Sequence, residues 1–168
     1  GHGVGGALAT VAFSADHVLP LEVLPFRLVS DTHEGGERRV TWELTTRGLV
    51  LRKTFVIPDH GSLFHVEQEI VEDHVGLRAW GLNWAGGLRV TEDANGRNAR
   101  GYFEGVALAE GSVQRKKSGD AHKKPIEFPG QTRFVGVMNK YFLAAIVPRG
   151  DAQGPARLCE VPSGHEGT

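Results

Sequence analysis

Apolar and polar residues alternate with a period of two over residues 39–45, and this alternation constrains the fold more than any other feature of the chain. Val40, Trp42 and Leu44 alternate with charged and hydroxyl-bearing residues. In an extended strand, such a pattern places one row of side chains on a core and the other row in solvent. We therefore predict a half-buried strand of an antiparallel sheet at this position.

The two apolar segments that follow predict the next strands of one meander. Residues 49–57 are apolar on both sides, which is typical of a central strand. In residues 64–70 the alternation returns, with Gln68 as the polar exception on the buried row. The links at 46–48 and 58–61 contain the glycine and proline that tight turns favour. The apolar positions are Leu49, Val50, Leu51, Phe55, Val56 and Ile57 in the first segment, and Phe64, Val66 and Ile70 in the second.

Short apolar runs recur along the rest of the chain and predict further strands. No stretch combines apolar spacing of three and four with a capping residue over three helical turns. Regularly spaced strands without helices predict an all-β fold, an antiparallel β-sandwich. The additional runs are residues 7–13, 21–29, 77–84, 102–108, 113–115, 126–128, 134–138 and 141–147.

Length and charge restrict the domain organisation and the partners. A chain of 168 residues is expected to form one compact domain. Its net charge of −1 provides no broad field that would attract nucleic acid. We expect a single domain over residues 4–161, a cloning remnant at 1–3 and a flexible tail at 162–168. No run of about 18 apolar residues occurs, so we expect a soluble piece excised from a longer protein.

The residues that usually carry chemistry do not form recognisable sites in the sequence. Residues 1–6 fit the pattern GxGxxG, but the strand that a dinucleotide site requires does not precede them. The eight histidines show no HxH or HExxH spacing, and Cys159 is the single cysteine. Glu67 and Glu69 are about 7 Å apart on one face of a strand, a spacing that suits glycoside chemistry or simply a solvated row. We favour the solvated row, and we expect no catalytic residue, no metal site and no cofactor.

Two further features leave a binding alternative open. The basic run at residues 115–117, followed by Lys123 and Lys124, could contact anionic lipid, or it could be a solvated hairpin whose lysines discourage edge pairing. Trp80 and Trp84 share one face of a predicted strand and could stack on a sugar or a peptide, or fill a core. We favour the solvated hairpin and the core packing.

Three segments together resemble a known family. Residues 134–148 read as a short apolar strand, then Lys140, Tyr141 and Phe142, then Ala-Ala-Ile-Val closed by Pro148. Residues 49–57 and 84–92 add an apolar strand and a segment with a tryptophan, paired glycines and a threonine-glutamate step. In order and spacing these segments resemble the periplasmic domain of YidC-type membrane protein insertases, over a range from about residue 40 to residue 148.

The resemblance implies a fold, a location and a function. The fold is a large twisted antiparallel β-sandwich, a supersandwich similar in shape to the sugar mutarotases. The location is the periplasmic side of the bacterial inner membrane, in a multi-pass parent protein. The function is to support insertion and folding of inner-membrane proteins, alone or with the Sec translocon. The implied partners are Sec subunits and nascent membrane proteins, without nucleic acid, a small-molecule substrate or catalysis.

A rival interpretation from another class is a carbohydrate-binding module or a mutarotase-like enzyme. Such an enzyme requires a histidine acid and a carboxylate base that face a sugar, for which His65 and Glu67 are the candidates. A binding module requires exposed aromatic rings, for which Trp80 and Trp84 are the candidates.

Overall fold

The structure is a computed structural model that describes residues 8–15, 17–19, 21–84, 103–117, 121, 124–150 and 153–159. Over this part of the chain the regular elements are thirteen β-strands and one short 3₁₀ helix at Leu21–Val23. All strand pairs are antiparallel. The strands are β1 (Ala9–Phe13), β2 (Val18–Leu19), β3 (Arg27–Glu34), β4 (Glu37–Thr46), β5 (Leu49–Pro58), β6 (His65–Asp73), β7 (Ala79–Asn83), β8 (Glu104–Ala109), β9 (Ser112–Lys117), β10 (Ile126–Phe128), β11 (Thr132–Met138), β12 (Leu143–Ile146) and β13 (Ala156–Leu158).

The chain divides into two compact units, Gly1–Ala85 and Gly86–Thr168. The main sheet of the first unit is a meander with the strand order β3-β4-β5-β6. As predicted, β5 is a central strand and pairs with β4 on one side and with β6 on the other. The predicted turn at Gly48 links β4 to β5, with a φ of 90° that glycine adopts without strain.

A second, smaller sheet with the order β2-β1-β7 covers one face of the meander. Ala12 of β1 and Leu21 of the 3₁₀ helix form a buried cluster with Leu44 of β4 and Leu49 of β5. Leu44 and Leu49 belong to the rows that the sequence placed on the core. Burial of such leucine side chains contributes about 1.5–3 kcal/mol each relative to exposure. The first unit is therefore two sheets that pack face to face.

The opposite face of the meander is polar and carries cross-strand ion pairs. Glu43 accepts from Arg27 Nη2 at 3.1 Å and from Arg52 Nε at 3.0 Å. The Arg52 guanidinium, followed by that of Arg27, holds the pKa of the Glu43 carboxyl below its usual value. Arg39 links β4 to β6 through Glu67, at 2.7 Å. The alternation in β4 thus separates a core row from a charged row, as the sequence predicted.

The described residues of the second unit also form two sheets. The larger has the order β12-β11-β8-β9, and the smaller is the pair β10 and β13. Ala107 and Ala109 of β8 cluster with Ile126 and Phe128 of β10, and Phe128 is fully buried. At Gly105 of β8, a Cβ atom would lie 2.2 Å from Leu158 Cδ1 of β13, so a larger residue there would require the Leu158 side chain to move.

The all-β antiparallel class predicted from the sequence is confirmed, and each unit pairs one sheet with another. Two short strands, β2 and β13, were not among the predicted ones. The predicted strand at residues 141–147 is shorter than expected, because Tyr141 and Phe142 lie in a turn before β12. Residues 1–7, 85–102 and 160–168, on which several expectations fall, lie outside the described residues.

Candidate contact surface

The residues considered for catalysis, His65, Glu67 and Glu69, lie in one exposed row of β6. Glu67 is exposed and ion-paired with Arg39. Of the histidines, His33 bonds to Asp59 Oδ1 through Nε2 at 2.7 Å, on the surface. No group of three possible metal ligands occurs among the described residues. The GxGxxG pattern at residues 1–6 lies outside the described part of the chain.

An open depression of about 440 Å³ lies on the polar face of the meander. It is bounded by Thr32, Glu34, Gly35, Glu37 and Arg39. Arg39 Nη1 contacts Glu37 Oε1 at 3.2 Å, so the charged groups here already pair with each other. A solvated ion pair in an open depression provides no water-excluded site for chemistry.

The tryptophans divide between the core and the surface. Trp42 is half-buried on the core row of β4. Trp80 of β7 and Trp84 just after it retain 42% and 37% of their surface exposed. The larger part of each ring is therefore buried and the remainder is open to solvent, so core packing of Trp80 and Trp84 stays a prediction.

A buried lysine lies on the covered face of the meander. Lys53 of β5 is 5% exposed, and its Nζ donates to the backbone carbonyl of Leu8 at 2.8 Å. The ammonium also lies over the Phe26 ring, 5.2 Å from the centroid. Desolvation by burial lowers the pKa of Lys53 from 10.5 to about 8. Its cross-strand neighbour is Gln68, which accepts from the Thr10 hydroxyl at 2.9 Å.

The two four-stranded sheets have four edge strands, β3, β6, β9 and β12. Edge strands expose unpaired backbone groups, and proteins protect them with charges and bulges. Strands β3 and β6 both carry acidic residues and both lie at register irregularities. Strand β9 ends in three consecutive basic residues. Strand β12 reads Leu-Ala-Ala-Ile, with neither a charge nor an irregularity in its pairing with β11.

The free side of β12, residues Leu143–Ile146, is named here the β12 edge. Asn139 N–H donates to Phe142 C=O at 2.9 Å and closes the β11–β12 hairpin. Hydrogen-bonded and non-hydrogen-bonded pairs alternate along an antiparallel ladder. The next pair, Met138 with Leu143, is therefore not hydrogen-bonded, and neither is the pair of Gly136 with Ala145. The backbone groups of Leu143 and Ala145 consequently point away from β11, toward the free edge.

The turn before β12 presents two aromatic rings to solvent. We call residues 139–142 the aromatic tip. The Asn139 side-chain Oδ1 accepts from the backbone N–H groups of Tyr141, at 2.9 Å, and Phe142, at 2.7 Å. Tyr141 and Phe142 are nevertheless 58% and 65% exposed. Lys140 Nζ lies 4.9 Å from the centroid of the Tyr141 ring. The backbone of the tip is thus fixed by its own asparagine, while its aromatic surface is exposed.

The comparisons with known proteins identify the family. A family model described as the YidC periplasmic domain matches residues 11–160. The chain therefore belongs to the YidC periplasmic domain family. The match extends the range of about 40 to 148 that the sequence motifs suggested, on both sides.

A curated relative agrees with this assignment. The chain is 34% identical over 73 residues to a "Membrane protein insertase YidC" from Chlorobium phaeovibrioides (strain DSM 265 / 1930). The aligned part is 44% of this chain and 13% of the relative. The chain thus corresponds to a small share of that protein's length. No solved structure matches the chain. No helix of the described residues is long and apolar enough to cross a membrane.

Proposed function

We propose that this chain is the extracytoplasmic contact domain of a membrane protein insertase. It supports insertion and folding of inner-membrane proteins, alone or with the Sec translocon, through protein contacts and without catalysis. The parent protein spans the inner membrane several times and holds this domain on the periplasmic side. Membership of the YidC periplasmic domain family supports this proposal. The absence of catalysis is supported by the exposed, ion-paired setting of Glu67, the strongest carboxylate candidate.

The observation that carries the contact role is that β12, among the edge strands that the described residues form in the four-stranded sheets, has no charged residue. The other three edge strands of the four-stranded sheets carry charged residues. An extended partner segment can add to such an edge by main-chain hydrogen bonding, with side-chain pockets that supply specificity. We therefore assign the β12 edge as the surface that accepts an extended segment of a Sec subunit or of a nascent membrane protein.

The chemistry of the edge favours an apolar and transient partner. The backbone N–H and C=O groups of Leu143 and Ala145 point toward the free edge. A partner strand would therefore gain backbone hydrogen bonds at these two positions. A net contribution of about 0.5–1.5 kcal/mol for each hydrogen bond makes this a weak contact. A weak contact suits a domain that must release each client after insertion.

Site-specific photocrosslinking in the complete insertase tests this assignment. A photoreactive residue at Leu143 is compared with one at Val113, which lies on β9 at the opposite edge of the same sheet. The two side chains are 58% and 61% exposed, so general accessibility is matched. We expect adducts with translocon subunits or nascent chains from position 143 and few from position 113. Equal yields at the two positions would contradict the assignment.

The rival interpretation, carbohydrate binding, can be tested at Trp80 and Trp84, whose rings are partly exposed. Stacking on a sugar would protect both rings from iodide and would raise the melting temperature. We expect neither effect when a panel of monosaccharides is added. A sugar that produces both effects would favour a binding module, and loss of an activity in a Glu67→Gln variant would favour a mutarotase-like enzyme.

A further inference from the structure

One end of the β12-β11-β8-β9 sheet combines features that are distant in the sequence. The register aligns Leu143 with Met138, Met138 with Glu104, and Glu104 with Lys117. These four residues form one row across the sheet, at the end where β11 turns into β12. The aromatic tip and the basic end of β9 therefore lie at the same end of the sheet. Three strand spacings of about 4.8 Å separate them by roughly 14 Å.

The charges at this end are mainly positive. Lys116 and Lys117 are exposed, and the ion pairs among the described residues do not include them. Glu104, the acidic residue of the row, faces Arg115, with 3.9 Å between Oε2 and Nη1. Lys140 Nζ lies beside the Tyr141 ring. An anionic surface that approaches this end meets the exposed basic groups at the end of β9.

The aromatic tip suits a medium that is less polar than water. The Asn139 side chain satisfies the backbone N–H groups of Tyr141 and Phe142. Burial of these N–H groups in a head-group region therefore leaves them hydrogen-bonded and avoids the usual penalty. Tyrosine prefers the membrane–water interface, where its ring is buried and its hydroxyl stays hydrated. The aromatic tip can therefore enter the membrane–water interface without leaving the backbone N–H groups of Tyr141 and Phe142 unpaired.

We propose that this end of the sheet is a lipid-contact site. Tyr141 and Phe142 enter the interfacial layer of a bilayer, while Lys116 and Lys117 bind anionic head groups. The basic run at residues 115–117, for which the sequence alone favours a solvated hairpin, would thereby bind lipid. The site would orient the domain on the membrane surface. It is separate from the contact proposed at the β12 edge, since no protein partner takes part.

Co-sedimentation of the purified chain with vesicles tests the proposal. The vesicles consist of phosphatidylcholine alone or of phosphatidylcholine mixed with phosphatidylglycerol. We expect binding to the anionic vesicles, weakened by added salt, and little binding to the neutral ones. The Lys116→Gln, Lys117→Gln double variant should bind about 30-fold more weakly, from about 1 kcal/mol for each basic residue near an anionic surface.

The aromatic contribution is tested separately. The Tyr141→Ser, Phe142→Ser double variant should lose at least tenfold in vesicle binding, and a Phe142→Trp variant should retain binding. Val113→Ser, an exposed position near the other end of β9, is the matched control and should bind as the unchanged chain does. Circular dichroism and thermal melting verify that each variant is folded.

Three results would overturn the lipid-contact site. The first is no binding to anionic vesicles. The second is an equal loss in the Val113→Ser control. The third is binding that depends on the lysines but not on the aromatic rings, because this result describes attraction of a basic strand without insertion of the tip. None of these results bears on the photocrosslinking at the β12 edge, so the two proposals fail independently.

Discussion

The substitution Lys53→Met, which replaces the buried lysine by methionine, should stabilise the chain near neutral pH. Burial lowers the pKa of Lys53 from 10.5 to about 8. Each pKa unit corresponds to about 1.4 kcal/mol, so a charged Lys53 costs the folded chain about 3 kcal/mol. Methionine fills a similar volume without a charge. The lost hydrogen bond to the Leu8 carbonyl offsets about 1 kcal/mol of the gain.

The pH dependence of this effect has a definite sign. Below pH 8 the lysine is protonated in both the folded and the unfolded chain, and the cost is fully present. Between pH 8 and 10.5 the folded chain releases the proton first, so the unfolded chain binds more protons and stability rises with pH. The stability advantage of Lys53→Met should therefore shrink over this interval and be smallest above pH 10.5.

Urea unfolding followed by circular dichroism measures the difference between the two proteins at each pH. The difference isolates Lys53 from the other groups that titrate in this range. Lys117→Met, at an exposed lysine, is the control and should show no such trend. An advantage that stays constant from pH 7 to 10.5, or a Lys53→Met variant that is less stable at pH 7, would refute the desolvation argument.

Three further substitutions test the packing. Gly136→Ala should destabilise the folded chain by about 1–3 kcal/mol, because the added Cβ would lie 2.5 Å from a backbone carbonyl of β12. Gly154→Ala adds a Cβ in free space and should leave the melting temperature unchanged. In urea unfolding, Leu49→Ala should lower the free energy of unfolding by about 2–5 kcal/mol. Leu63→Ala, at a 79% exposed position, should lower it by less than about 0.5 kcal/mol. Similar losses in the two variants would contradict the core assignment. Asn139→Ala should accelerate hydrogen exchange at Tyr141 and Phe142, and Asn139→Asp, which keeps the acceptor, should not.

Much of the first unit could be predicted from the sequence, because its main sheet is a meander. Each strand pairs with its neighbour along the chain, so period-two alternation and turn residues define both the strands and their order. Gln68 was correctly placed on the buried row. Lys53 was missed, although it lies between Leu51 and Phe55 in the apolar row of β5. A lysine in such a row, opposite the polar Gln68 of β6, is the signal that could have identified it.

The second unit was less predictable, because its pairing is not local. Strand β13 has three residues, includes Arg157 and pairs with β10, about thirty residues earlier. Three residues are too few for their alternation to predict a strand, so this strand could be recognised only through its partner. The juxtaposition of the aromatic tip with Lys117 was hidden for the same reason, since it depends on the register of three strand pairs. The expected single domain over residues 4–161 remains a prediction.

The pairing of β1 with β7 has a consequence for the order of folding. Ala9 pairs with Asn83, so the whole meander lies inside the loop that this pairing closes. Closure of so long a loop is entropically costly, and local hairpins form much faster. We therefore expect the meander to form first and β1 to join it late. Before β1 pairs with β7, the carbonyl of Leu8 is not in position to accept from Lys53, and the ammonium remains hydrated. The last step of folding in this unit is thus also the step that removes water from its lysine.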